Sequence, residues 1–131
     1  MKELLKLGFS ECTIDEMLNQ NPNIKDITYE ELYQKIDILK NIGCSEEQVL
    51  NIIGSNPMYL DRSNNDVIKL LAFLDKLGFS LLSILIDGNP YILNLEVFEI
   101  DDYVKSRLSN GELLEDIVDD LDTNTYLFNE I

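Results

Sequence analysis

Carboxylates, lysines and tyrosines are the side chains that could do chemistry in this chain, because its 131 residues include two cysteines and no histidine. Histidine is the commonest general base and the commonest nitrogen ligand for metals, so its absence argues against most acid–base and metal-dependent catalysis. Cys12 and Cys44 are too distant in the sequence to form a CxxC pair. We interpret both as small hydrophobic residues, with Cys44 buried.

Two pairs of adjacent carboxylates, Asp101-Asp102 and Asp119-Asp120, could suggest metal binding. Adjacent residues of a helix point in different directions, however, and neither pair is accompanied by the loop spacing of an EF-hand. The sequence also lacks a glycine-rich phosphate loop, a nucleophile elbow and a set of zinc ligands. We therefore predict a protein that is not an enzyme and that has no cofactor and no metal site.

Lysines recur at one position of a repeated pattern, two residues before a glycine, at Lys6 and Lys76. Lys2, Lys40 and Lys69 are nearby in the same pattern. Stacked repeats would bring such positions into a row, which predicts a basic ladder that could contact the phosphates of a nucleic acid. The alternative is that each lysine stabilises the negative end of the helix on which it lies.

The net charge of −15, from 25 acidic and 10 basic residues, opposes binding to phosphate backbones and to anionic membrane surfaces. The same charge favours solubility and basic partners. The C-terminal segment, residues 96–131, is especially acidic. Its carboxylates could be a solvated end of the fold, a face that binds a basic protein, or a mimic of nucleic-acid charge. The carboxylates of this predicted acidic face are Glu112, Glu115, Asp116, Asp119 and Asp120.

A repeat of about 35 residues supplies the elements that would position these side chains. Its glycines stand 35 residues apart, and each should end a helix in the left-handed conformation. A serine two residues later should cap the next helix, which should end at an Asn-Pro pair because the residue before proline avoids helical geometry. The repeated residues are Gly8, Gly43 and Gly78, then Ser10, Ser45 and Ser80, then Pro22, Pro57 and Pro90.

Neither helix of such a unit can bury its apolar stripe alone, so neighbouring units must stack into one continuous core. We therefore predict an all-α fold of stacked helical hairpins, an α-solenoid, in a single domain over residues 1–131. Residues 4–95 should form three repeats. Residues 96–131 should form acidic capping helices and a tail, because terminal repeats often carry a polar outer face.

Two short stretches of the third repeat carry a family resemblance. Residues 74–80 read Leu-Asp-Lys-Leu-Gly-Phe-Ser, and residues 89–93 read Asn-Pro-Tyr-Ile-Leu. This pattern resembles the repeat of the mitochondrial transcription termination factor (mTERF) family, and residues 4–95 carry the resemblance. It implies a stack of helical hairpins whose concave face commonly binds DNA or RNA in organelles. This chain departs from that pattern in its small number of repeats, its negative charge and its lack of an Arg-rich transit peptide.

The sequence as a whole favours a non-enzymatic recognition module whose partner is a protein, preferably a basic one. Nucleic-acid binding linked to transcription, as the resemblance implies, is one alternative. An acidic mimic that occupies a basic nucleic-acid-binding protein is another, and a purely structural or oligomerisation module is a third. No apolar run is long enough for a membrane span, and the first residues lack the apolar stretch of a signal peptide, so we expect a cytoplasmic protein without a membrane partner. The oligomeric state is left open.

Overall fold

A computed structural model describes residues 2–131, and this part of the chain forms four similar units without a β-strand. Each unit consists of a first helix (the A helix), a second helix (the B helix) and a short 3₁₀ helix. The A helices are α1 Lys2–Leu7, α3 Tyr29–Asn41, α5 Asn64–Leu77 and α7 Val97–Ser109. The B helices are α2 Glu11–Gln20, α4 Glu46–Ser55, α6 Leu82–Gly88 and α8 Leu114–Thr123. The 3₁₀ helices are Pro22–Asp26, Pro57–Asp61, Pro90–Asn94 and Thr125–Glu130.

This architecture confirms the predicted all-α helical-repeat fold. The C-terminal helices that we predicted as a cap have the order of elements of a fourth unit. Their glycine, Gly111, follows Gly78 by 33 residues, and Asn124-Thr125 takes the place of the Asn-Pro pair. The absence of proline at this junction concealed the fourth unit in the sequence.

The turn between the A and B helices is the same in all four units. The glycine has a φ between 93° and 116°, a left-handed conformation in which a residue with a side chain would be strained. Its N–H donates to the carbonyl three residues earlier, and the next N–H donates to the carbonyl five residues earlier, for example from Phe79 to Leu74. These two bonds define a Schellman motif and satisfy the last carbonyls of the A helix.

The predicted serine caps are present in two of the three repeats. Ser10 accepts a hydrogen bond from the N–H of Thr13, and Ser45 forms a full capping box with Gln48. The prediction for Ser80 is wrong, because α6 begins one residue later and its N-cap is Leu81, which makes no side-chain bond. The third unit is two residues shorter between its glycine and its asparagine, so the serine no longer lies at the start of the helix.

Asparagine side chains join consecutive units. The Nδ2 of Asn21 donates to the carbonyl of Pro57 at 3.0 Å, and that of Asn56 donates to the carbonyl of Pro90 at 2.9 Å. Asn89 repeats the contact with the carbonyl of Thr125 at 2.8 Å. All three asparagines are buried, so these bonds satisfy polar groups that water does not reach. We call this series the asparagine ladder.

Apolar side chains fill the space between the helices as one continuous core through the four units. Leu4, Leu39 and Leu74 occupy the same place on three successive A helices and have no exposed surface. At the C-terminal end, the rings of Phe79 and Phe128 pack at 6.1 Å between centroids. No helix within residues 2–131 has the length and hydrophobicity that crossing a membrane requires.

Candidate recognition surfaces

The two sets of helices carry very different charges. All ten basic residues of the chain lie on A helices, in the 3₁₀ helix Pro22–Asp26 or just after the 3₁₀ helix Pro57–Asp61. The B helices contain no lysine or arginine at all. Their carboxylates are Glu11, Asp15, Glu16, Glu46, Glu47, Asp87, Glu115, Asp116, Asp119, Asp120 and Asp122. Neighbouring B helices pack side by side from α2 to α6, and α8 borders the turn that precedes α6. We call the carboxylates of these four helices the acidic surface.

The structure divides the predicted acidic face into two groups. Glu112 and Asp120 are held by Arg107, whose guanidinium is 2.6 Å from Glu112 and 2.9 Å from Asp120. Glu115 and Asp119 instead line a crevice of about 320 Å³ that faces the glycine turn of the third unit. Asp116 is exposed to solvent. Glu112 and Asp120 already pair with Arg107. Glu115, Asp116 and Asp119 are therefore the carboxylates of this face that remain available to a partner.

Asp122 also lines this crevice, although the sequence prediction did not include it. Its position on α8, three residues after Asp119, places both on the same side of the helix. The i, i+3 spacing was therefore the signal that could have found it. Together with Glu115 and Asp119, it gives this crevice three carboxylates.

The cluster around Arg107 perturbs three ionisable groups. Hydrogen bonds from the guanidinium lower the pKa of Glu112, and bonds from Asn124 and then from Arg107 lower the pKa of Asp120. The carboxylates in turn raise the pKa of Arg107, chiefly through Glu112. Tyr103 completes the cluster, since its hydroxyl accepts from the same guanidinium at 2.9 Å. The cluster therefore stabilises the charged forms of Arg107, Glu112 and Asp120.

Replacing Arg107 with methionine should make the protein less stable at neutral pH and should reduce its sensitivity to acid. A carboxyl whose pKa is lowered by folding stabilises the folded state above its unfolded pKa, and this contribution disappears as the pH falls through the folded pKa. The difference in melting temperature between wild type and Arg107→Met should therefore be present at neutral pH and shrink below about pH 4. Circular dichroism melting curves across this range measure it.

The matched control is Lys105→Met on the same helix, because Lys105 pairs with Asp101 at 2.7 Å but is largely exposed. Exposed pairs contribute little to stability, so this variant should melt close to the wild type at every pH. An Arg107→Met difference that is equally large in acid and at neutral pH would show that the carboxylates are not responsible.

The predicted basic residues, Lys2, Lys6, Lys40, Lys69 and Lys76, are all exposed and all lie on A helices. Lys6 and Lys40 line the same crevice of about 220 Å³ between the first and second units.

The basic ladder does not continue into the next unit. The crevice between the second and third units is equivalent to the one that Lys6 and Lys40 line, but Asn41 and Asp75 occupy their places. Lys76 is the counterpart of Lys6 in the third unit. The predicted row is thus reduced to a pair of lysines near the N-terminus, since Asp75 interrupts it.

A buried lysine ties the second unit to the third, and the sequence prediction missed it. Lys35 is 4% exposed, and its ammonium donates to the carbonyl of Arg62 and to the Oδ1 of Asn64. Burial, and secondarily the charge of Arg62, lowers the pKa of Lys35. The Arg62 guanidinium continues the network to Glu96 of the fourth unit. Lys35 lies between Leu32 and Ile36 on the apolar side of α3, and that placement was the available signal.

This network borders a cavity of about 310 Å³ that Glu31 and Asp61 also line. The ammonium donates to the carbonyl of Arg62 and to Asn64, while the charges of Asp61 and Glu31 partly offset the lowering of its pKa. Lys35 therefore joins neighbouring units through a charged side chain. The equivalent position of the third unit is a leucine, Leu70.

The remaining candidates for chemistry are dispersed. Cys44 is buried, as predicted, and desolvation raises the pKa of its thiol to about 11, whereas Cys12 is exposed. Asp101 pairs with Lys105. Across residues 2–131, no group of three histidine, cysteine, aspartate or glutamate side chains is arranged to hold a metal ion.

Comparison with known proteins gives one match. The family model described as mTERF matches residues 1–99, which is most of the chain. No curated protein and no solved structure matches it. The matched residues span the first three units and the beginning of α7, so the fourth unit lies almost wholly beyond the match.

Proposed function

This chain belongs to the mTERF family, and we propose that it is a non-catalytic helical-repeat module that recognises a basic segment of a partner protein. Proteins of the family bind nucleic acids, so the module type is one of macromolecular recognition. One observation supports a protein partner in particular, namely the complete absence of lysine and arginine from the B helices. A surface of one sign attracts and orients a partner of the opposite sign.

The rigidity of the stack supports the same proposal. Buried asparagine bonds fix each unit against the next, so the carboxylates of successive B helices keep a fixed spacing. A preorganised surface loses little conformational freedom on binding, which favours affinity. The acidic surface is therefore suited to an elongated basic segment that extends along several units.

The test is a titration of a short fluorescein-labelled peptide rich in lysine and arginine, followed by fluorescence anisotropy near physiological salt. Reversing two charges with Glu115→Lys and Asp119→Lys should weaken binding by about tenfold or more, because both the local attraction and the field of the surface are lost. The control carries Asp37→Lys and Asp102→Lys, which change the net charge equally but lie on A helices.

The control should bind within about threefold of the wild type, since its charges lie on A helices, outside the acidic surface. If the two double variants lose affinity equally, the peptide responds to net charge alone, and the acidic surface is not a binding site. A wild-type protein that fails to bind the peptide at low salt would remove basic proteins from consideration altogether.

Nucleic-acid binding through the A helices is the second candidate, and Lys6 and Lys40 support it. Both lysines are exposed and line one crevice, which Glu46 also lines. The same anisotropy assay with labelled single-stranded DNA, duplex DNA and RNA tests it at low and physiological salt. Binding that weakens steeply with salt and is lost in the Lys6→Ala, Lys40→Ala double variant would make this the function.

A further inference from the structure

The ion cluster of the fourth unit occupies three positions that are apolar and buried in every other unit. The first lies four residues before the turn glycine, the second directly after that glycine, and the third four residues before the ladder asparagine. In the first three units these positions are occupied by Leu4, Leu39 and Leu74, by Phe9, Cys44 and Phe79, and by Met17, Ile52 and Leu85.

In the fourth unit the same positions are Arg107, Glu112 and Asp120. They bind one another, with two bonds of 2.6 and 2.8 Å between the guanidinium and Glu112 and one of 2.9 Å to Asp120. The side chains are 19%, 39% and 37% exposed, whereas their counterparts in the other units are at most 7% exposed. The apolar residues that form the core in the other units are thus replaced by charged side chains that pair with one another.

The equivalent asparagine of the fourth unit makes a different contact at the same place. Asn21, Asn56 and Asn89 each donate to a carbonyl of the following unit. The Nδ2 of Asn124 donates instead within its own unit, to the Oδ1 of Asp120 at 3.0 Å. Asp120 therefore accepts from both Arg107 and Asn124, and so it joins the asparagine of the fourth unit to the ion cluster.

We propose that the cluster of Arg107, Glu112 and Asp120 is a built-in stop that keeps the outer side of the fourth unit from pairing with the same side of a second copy. The apolar residues at these three positions are the ones that the other units bury. With such residues, the outer side of the fourth unit would be an apolar face. Its occupant would be the same face of a second chain, because a two-fold axis makes an apolar patch complementary to itself.

The charges oppose this pairing physically. Bringing two such ends together would bury six ionised groups, and burial of ions costs more free energy than their mutual attraction returns unless the geometry is excellent. Burying apolar side chains at the same three positions would carry no such cost. The cluster therefore lacks the stability that apolar burial would provide, and it keeps the chain monomeric.

Two variants that restore the residues of other units test this proposal. One carries Arg107→Leu, Glu112→Cys and Asp120→Ile, the set of the second unit, and the other carries Arg107→Leu, Glu112→Phe and Asp120→Leu, the set of the third. Sedimentation equilibrium in reducing buffer near physiological salt should show monomeric wild type. We expect the mass of at least one variant to approach double at about 100 μM, as a micromolar dissociation constant would give.

The matched control carries Lys105→Leu, Asp102→Phe and Asp116→Ile, which remove the same charges from exposed positions of the same two helices. It should stay monomeric. The proposal is overturned if the control associates as strongly as the variants, if wild type is already dimeric, or if both variants fold and stay monomeric. Failure of both variants to fold also overturns it, because a second copy should cover and stabilise the apolar end.

Discussion

Replacing Asn56 with alanine should lower the free energy of unfolding by about 2–4 kcal/mol, because it leaves buried polar groups without partners. Asn56 is 6% exposed, and its Nδ2 donates to the carbonyl of Pro90 and to the Oδ1 of Asn94 at 2.9 and 3.0 Å. The Nδ2 of Asn94 returns a bond of 3.1 Å to Asn56. All of these contacts cross from the second unit to the third, so their loss weakens the junction between units.

Urea unfolding followed by circular dichroism measures this loss, and the repeat itself provides the control. Asn124 occupies the same position in the fourth unit, and its Nδ2 donates to the partly exposed Asp120 of its own unit. Asn124→Ala should therefore have a much smaller effect. Equal losses for the two variants would mean that the asparagine acts by ending its own helix and not by joining units.

Replacing Leu74 with arginine should lower the free energy of unfolding by about 4 kcal/mol or more, because it buries a charge without a partner. Leu74 has no exposed surface, and it is the counterpart of Arg107 in the fourth unit. The third unit has Phe79 and Leu85 where the fourth has the two carboxylates, so the introduced guanidinium finds no anion. The same residue type thus stabilises the end of the stack and disrupts its interior.

The control is Leu108→Arg, at a leucine of α7 that is 41% exposed and already in contact with water. This substitution should lower the free energy of unfolding by less than about 1 kcal/mol, as most surface substitutions do. Denaturant unfolding of both variants gives the comparison. A loss below about 1 kcal/mol for Leu74→Arg would show that the junction between the third and fourth units opens to solvent, contrary to the continuous core.

Most of the local structure could be predicted from the sequence. The glycines Gly8, Gly43 and Gly78 predicted the left-handed ends of the A helices, and Ser10 and Ser45 predicted caps that are present. These features depend on backbone groups within a few residues, so their signals are short-range. The prediction for Ser80 was wrong because a two-residue shortening moved the start of α6 away from it.

The candidate surfaces could be predicted only in part. The sequence identified the lysines and the acidic residues, but it placed Glu112 and Asp120 in a partner-binding face. The structure pairs both with Arg107. It also brings Lys6 and Lys40 to one crevice and places Asp75 in the corresponding position of the next. Pairing depends on where side chains meet in space, which spacing along one helix does not determine.

The sequence by itself determined the repeat, its two helices and the turns between them, because periodicity and turn residues act locally. Only the tertiary structure decided how the units join. The bonds of the asparagine ladder connect side chains to carbonyls 34 or 36 residues away, and Lys35 reaches a carbonyl 27 residues away. Such contacts require neighbouring units to be stacked first, so no local pattern of residues specifies them.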